Sequence, residues 1–283
     1  MCIRDSFYSI PTARLENDYL ILDYLADRGP RIVRLVPRRL GQNLLAETPD
    51  AELSSPFGPL RLWGGHRLWH APETAARTYI PDDSGLTVEP LPDVPLSLGV
   101  VLRYQEPHSG IHKEIRLRLA PEAPRVEIVH RLTNVGLWPV ELAPWAITQL
   151  KIGGTAILPT PGKADAEGLL PNRMIALWPY SHWDDPRLRL AEAAIEVDAR
   201  PIAQPFKIGY MNRAGWLAYQ YEGVVFRKRW TPQPERPHVD FGCNAEVYTN
   251  DKHVELETLG PLVRLGVGEM VEHVEVWEVE ESA

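Results

Sequence analysis

The chain has 283 residues, 44% of them hydrophobic, with a formal net charge of −8 and a pI near 5.6. The acidic balance gives nucleic-acid binding no electrostatic support, and no apolar run of about eighteen residues offers a transmembrane helix. Two cysteines, Cys2 and Cys243, make neither a disulfide framework nor a zinc site, and 27 Pro with 20 Gly indicate many turns rather than long helices.

Residues 1–6, Met-Cys-Ile-Arg-Asp-Ser, fit nothing that follows and read as a non-native leader. That leaves 7–283 as a single domain, and it leaves the native N-terminus and the cellular location open. Asp18 to Leu25 and Arg31 to Val36 are apolar runs joined by Ala-Asp-Arg-Gly-Pro, which predicts a hairpin. Asn43-Leu-Leu follows, after Gly41. The next stretch, Trp63-Gly-Gly-His-Arg-Leu-Trp-His-Ala-Pro-Glu73, places His66 and His70 at i, i+4, a metal spacing on a helix. Gly64, Gly65 and Pro72 argue against a helix there, so no metal is expected. A tight turn into a buried strand, with Arg67 salt-bridged, is one reading. A ligand site using His66, Arg67 and Glu73 is the other.

His112 to Leu119 alternates, with Ile115, Leu117 and Leu119 on one face and Glu114, Arg116 and Arg118 on the other. Arg125 to Thr133 alternates again after the Pro121–Pro124 turn. His130, beside Val126 and Ile128, reads as a hydrogen-bonded core histidine. Leu177 to Arg187 is a loop rich in aromatic and charged groups. His182, Trp183, Asp184 and Arg187 there are either binding residues on a rigid scaffold or a packed connection in which Arg187 pairs with Asp184. Ala191 to Ile195 is the best helix candidate, though short. Trp216 to Gln220 and Val224 to Trp230 form a hairpin about Glu222-Gly223. Lys228 falls on its apolar face, so it must reach solvent or a carboxylate. Glu246, Glu255 and Glu257 are the candidate partners, and Lys207 belongs with this group.

The strand His253 to Thr258 carries the most informative pattern. Alternation puts Val254, Leu256 and Thr258 on one face and His253, Glu255 and Glu257 on the other. Carboxylates at i, i+2 lie roughly 6–7 Å apart. On an open surface they are only a charged face. In a concave sheet they can hold or move a proton.

The order Leu256-Glu257-Thr258, a Pro-containing loop, Val267-Gly268-Glu269 and a last strand to Trp277 resembles the C-terminal end of aldose 1-epimerases (galactose mutarotases). There the run is Leu-Glu-Thr, a Pro-rich loop, Pro-Gly-Glu and a final strand. The resemblance implies an all-β galactose-mutarotase-type supersandwich of antiparallel sheets, with Glu257 as catalytic base. Gly64-Gly65 is similar to a Gly-Gly stretch of hexose-6-phosphate mutarotases that reaches the sugar. On that likeness Arg67 and Glu73 hydrogen-bond hydroxyls. Arg131-Leu-Thr-Asn134 and the following strand resemble the segment whose His is the family's general acid. Trp145 stands at that position, and indole does not titrate usefully. A counterpart of the family's other active-site His is also lacking.

Two functional expectations result. One is a carbohydrate-active enzyme, an epimerase or related isomerase, with Glu257 as base and Lys228, Arg67 or His182 replacing the acid. The other is a non-catalytic carbohydrate-binding protein using Trp145, Trp183 and the glutamate face. A purely structural β domain is a third. Each expects no cofactor, no nucleic acid and no membrane.

Overall fold

Alternation of apolar and polar residues between frequent turns builds strands almost throughout. In a computed structural model, residues 5–161 and 169–282 are described. Among them one helix, Ala75–Thr78, is assigned, and no helix is long and apolar enough to cross a membrane. The strands form an 11-stranded sheet, a 10-stranded sheet and a two-stranded hairpin, all antiparallel.

The 11-stranded sheet carries, side by side, Arg31–Pro37, His66–Ala71, Val140–Lys151, His253–Leu259, Ala245–Thr249 and Phe206–Tyr210. The 10-stranded sheet holds Trp216–Tyr221, Val224–Arg229, Met270–Glu281, Arg125–Asn134 and Ile111–Leu119 at its centre. Their facing sides make the main core, where Leu68, Leu142, Leu150 and Leu256 of one sheet meet Ile115, Ile128, Phe226 and Trp277 of the other. Burying one face of each sheet is what fixes register, since a one-residue slip would turn every side chain over.

The expected hairpins are present as Leu20–Leu25 with Arg31–Pro37, Ile111–Leu119 with Arg125–Asn134, and Trp216–Tyr221 with Val224–Arg229. Ala191 to Ile195 is not a helix. It turns into the strand Ala194–Asp198, because Ile195 and Val197 alternate into the core at period two. The leader expected at residues 1–6 lies outside the described residues for 1–4. Asp5–Phe7 pairs with Ile10–Glu16.

A second, smaller core lies on the outer face of the 11-stranded sheet. There Trp69, Ala143, Trp145, Ile147 and Leu259 are covered by Leu60 and Leu62 of the two-stranded hairpin. The hairpin closes on the sheet through Gly64 and Gly65, at φ +86° and +68°. A Cβ on Gly65 would lie 1.9 Å from the Ile32 carbonyl oxygen, and one on Gly64 would lie 2.1 Å from that of Ala46. Only glycine accepts both the left-handed backbone and that approach. The turn sets the parity of the next strand, so Arg67 and Trp69 face outward while His66 and Leu68 face the core.

Leu256 is fully buried between the sheets, one residue from Glu257 on the opposite face. Truncation there leaves a cavity that close-packed neighbours cannot fill. Leu256→Ala is expected to lower the unfolding free energy by about 2–5 kcal/mol in urea titration. A change below about 1 kcal/mol would mean that the site is not part of the cooperative core.

Candidate functional site

Three strands place the central groups. Trp145 and Ile147 come from Val140–Lys151, Glu255 and Glu257 from His253–Leu259, and Glu246 and Tyr248 from Ala245–Thr249. Register sets Glu257 between Ile147 and Glu246, and Glu255 between Gln149 and Tyr248. Lys207 follows beyond Tyr248 on the strand Phe206–Tyr210. These side chains share the outer face. Trp145, Ile147, Tyr248, Glu255 and Lys207 border a cleft of about 610 Å³ whose walls include Trp69, Tyr79, Trp178, Tyr180 and the hairpin residues Thr48 and Asp50 to Leu53, while Glu246 and Glu257 lie buried outside its lining.

At the floor, the Lys207 Nζ lies 2.7 Å from Glu246 Oε2 and donates at 2.9 Å to Glu257 Oε2. The Trp145 Nε1–H donates to the same Glu257 oxygen at 2.7 Å. The ammonium also sits over the rings of Trp145 and Trp178, at 4.9 and 4.5 Å from their centroids, a cation–π arrangement. Glycine at 209 leaves room for this, since a Cβ there would meet Glu246 Cγ at 3.1 Å and Trp178 at 3.3 Å. Glu257 and Glu246 are fully buried and Lys207 nearly so. Glu257 Oε1 has no hydrogen-bond partner among the described residues.

Burial alone would strip the proton from Lys207, but Glu246 and Glu257 outweigh it and hold the ammonium charged well above the usual lysine range. One cation cannot neutralise two buried carboxylates. Burial therefore pushes both carboxyls up against the pull of Lys207, Glu246 most strongly. The trio holds a proton that two solvated glutamates would release.

Glu255 behaves oppositely. Burial raises its carboxyl, but His253, Arg67 and Lys207 overcome this and bring it down to about 2. Its Oε1 accepts from Gln149 Nε2 at 2.6 Å and from Arg67 Nη2 at 3.2 Å. The Arg67 guanidinium lies 4.4 Å from the Trp69 ring centroid, and its Nε and Nη1 lack partners among the described residues. Glu73, at the exposed rim, accepts from the Tyr79 hydroxyl.

Of the residues singled out from sequence, Glu257, Glu255, Glu246, Arg67, Trp145 and Glu73 are brought to this cleft or its floor. His182, Trp183 and Asp184 are exposed on the loop that follows Tyr180, outside the cleft lining. Arg187 is buried and pairs with Asp185 rather than Asp184, through two hydrogen bonds of 2.9 and 2.8 Å. His66 and Lys228 lie on the other side of the sheet, in the core. Lys207 is the cation that meets Glu257, not Lys228, Arg67 or Arg187. Its signal in the sequence was a lysine in an otherwise apolar strand, Phe206-Lys-Ile-Gly-Tyr210.

Between the sheets lies a separate polar network. Lys228 Nζ pairs with Glu275 Oε1 at 2.8 Å and donates to the carbonyls of Leu256 and Ala146 at 3.0 and 3.2 Å. His130 Nδ1 bonds the His273 carbonyl at 2.9 Å, which requires a proton on Nδ1 and leaves Nε2 as acceptor. The His66 Nε2–H then donates to it at 2.8 Å, and His66 Nδ1 accepts from the Thr148 hydroxyl at 2.9 Å. Ligand atoms of His66, His130 and Glu275 lie within 4.8 Å of one another, a spacing that could hold a metal ion. Yet the imidazoles satisfy each other and the Lys228 ammonium already occupies Glu275, so the donor set does not suit a cation.

No known sequence family matches the chain, and no curated protein matches it significantly. Solved structures do match its fold. A TPR-domain-containing protein from Parabacteroides distasonis superposes with a TM-score of 0.67 at 13% identity, over 97% of this chain and 48% of that one. The chain thus spans about half the length of that protein. A Klebsiella pneumoniae protein, named provisionally an aldose 1-epimerase, gives 0.63 at 10% identity over 99% and 82% of the two chains. A galactose mutarotase-like protein from Lactobacillus casei gives 0.56 at 8% identity over 95% and 100%. The fold is therefore of the galactose-mutarotase type.

Two outcomes are expected from these electrostatics. Lys207→Met leaves two buried carboxylates without their cation and should destabilise by about 3–5 kcal/mol in urea titration, as breaking a buried pair does. A near-neutral result would mean that water reaches the pair. The second concerns pH. Burial lowers His66, His70, His130 and His273, the last to about 3. Lowered imidazoles contribute stability above the unfolded value of about 6.5 and lose it as pH falls toward the folded value, by up to about 1.4 kcal/mol per pH unit each. The raised carboxyls Glu246 and Glu257 act in the opposite direction, losing stability as pH rises through their folded values, but they are fewer. The urea midpoint should fall between pH 7 and pH 5, and a rising midpoint would show that the imidazoles are not held neutral.

Proposed function

We propose that the protein is a carbohydrate-binding protein that takes a saccharide in this outer-face cleft. The observation that carries the reading is the combination of half-buried aromatic faces, Tyr79, Trp178, Tyr180 and Tyr248, around a floor of fixed polar groups. A sugar offers an apolar C–H face for stacking and hydroxyls for hydrogen bonds, and aromatic side chains with convergent polar groups suit both. The names of the structural neighbours, an aldose 1-epimerase and a mutarotase-like protein, agree with a sugar ligand.

Catalysis is the second reading, and one observation favours it. Glu257 stands where the family resemblance puts the base, and burial raises its carboxyl toward the range useful for proton transfer. Two observations oppose it. Glu257 Oε2 already accepts from both Trp145 and Lys207. Lys207, held charged, is a poor proton donor to a ring oxygen. Binding without efficient anomer interconversion is the reading that fits best. On it, Glu257 fixes Lys207 and the Trp145 indole beneath the sugar.

A thermal-shift screen of neutral, acidic and phosphorylated sugars should yield stabilisation by at least one of them. Saturation at a hundred times the dissociation constant corresponds to about 2.7 kcal/mol. Polarimetry on glucose and galactose should show no mutarotation above buffer. Glu257→Gln should keep most of the stability and lose the ligand-induced shift. A folded protein that no sugar stabilises would overturn the binding reading. A robust mutarotation rate abolished by Glu257→Gln would replace it with the catalytic one.

A further inference from the structure

The cleft is larger than one sugar. Leu259 pairs with Trp145 at one end of the strand His253–Leu259, and His253 lines the cleft at the other. Six residues of extended chain separate them, about 20 Å at the usual strand rise. Volume exceeds one sugar and falls a little short of enclosing two, so a second unit would protrude from the open mouth. A cleft of about 610 Å³ holds about twenty non-hydrogen atoms if each takes the ~30 Å³ share of a liquid water. A hexose has twelve such atoms and a hexose disaccharide twenty-three.

The far end carries its own built group. Gln149 Nε2 donates to Glu255 Oε1 at 2.6 Å and faces His253 Nε2 at 3.0 Å. His253 Nε2 also lies 3.4 Å from Glu255 Oε1, so both of its neighbours are taken up on the Nε2 side of the ring. His253 Nδ1 has no partner among the described residues, nor has Gln149 Oε1, and His253 is only 6% exposed. Buried donors and acceptors normally find partners, and this orphaned pair, His253 in the cleft lining and Gln149 buried beside it, points to a ligand that reaches the His253 ring. A hydroxyl both donates and accepts, so a sugar hydroxyl matches His253 Nδ1 in either role. Tyr248, whose ring centroid is 5.8 Å from that of His253, adds an apolar wall.

We infer that the His253 end is a second sugar subsite and that the cleft takes a saccharide of two or more units. One unit lies over Trp145 and Lys207. The next meets His253 Nδ1. This inference rests on the saccharide-binding reading and adds the length of the ligand to it.

The test is a panel of immobilised neutral and acidic mono-, di- and trisaccharides probed with the whole protein, followed by calorimetry on the best oligosaccharide and its constituent monosaccharides. The disaccharide or trisaccharide should bind at least tenfold tighter than either constituent. His253→Leu, checked for folding by circular dichroism, should remove that tenfold gain and leave monosaccharide binding unchanged. Equal affinity for one and two units in the unaltered protein would overturn the second subsite while leaving saccharide binding standing, and this comparison does not depend on the variant folding. An intact gain in a folded His253→Leu protein would likewise overturn it. Binding of no sugar of any length would overturn saccharide binding itself, and the subsite with it.

Discussion

A single ammonium group holds the outer face together. Lys207 is nearly withdrawn from water, and so are the carboxyls of Glu246 and Glu257 that meet it. Neither charge type is tolerable there alone, because the interior solvates ions poorly. Together they fix one arrangement. Glu257 cannot turn without abandoning both Lys207 and the Trp145 indole, and Lys207 cannot leave without exposing two carboxylates to each other. The aromatic rings inherit this order, since Trp145 and Trp178 both lie against the ammonium. A rigid aromatic floor loses little freedom when a ligand arrives, which is the energetic value of preorganisation.

The same two strands are braced from behind. Lys228, from the other sheet, donates to the carbonyls of Ala146 and Leu256, the neighbours of Trp145 and Glu257. Glu275 neutralises it, and Trp277 donates to Glu275 at 2.8 Å. Two buried lysines thus grip opposite sides of one pair of strands. The outer one orders side chains and the inner one orders backbone. Histidines 66 and 130 complete the inner network as a neutral chain of hydrogen bonds ending on backbone. The core is therefore polar at its centre without an unpaired charge there, as buried networks must be.

How much of this was legible in the sequence depends on distance along the chain. Strand parity is local, so the split of His253, Glu255 and Glu257 from Val254, Leu256 and Thr258 could be read directly, and the structure has it. Hairpins about Gly and Pro turns were readable for the same reason. Sheet membership is not local. Parity put Lys228 on an apolar face, but only the strand order tells that this face looks at the back of the Glu257 strand rather than at Glu257. A single site holding both His66 and Arg67 does not form, since adjacent strand residues face opposite ways and the Gly64-Gly65 turn decides which way. Lys207 precedes Glu257 by fifty positions and reaches it diagonally, across the intervening strand Ala245–Thr249. No pattern within a window of a dozen residues carries that contact.

In the proposed complex a saccharide rests on the half-buried Trp178 face beside Lys207, while Trp145, almost fully buried, is held by Glu257. Indole N–H resonances of nitrogen-15-labelled protein, assigned by single Trp→Phe variants and followed while the best-binding saccharide is added, test this placement most directly. The Trp178 signal should shift and saturate, while the Trp277 signal, buried between the sheets beside Glu275, stays in place. Saturable shifts confined to other tryptophans, with Trp178 unmoved, would overturn that placement.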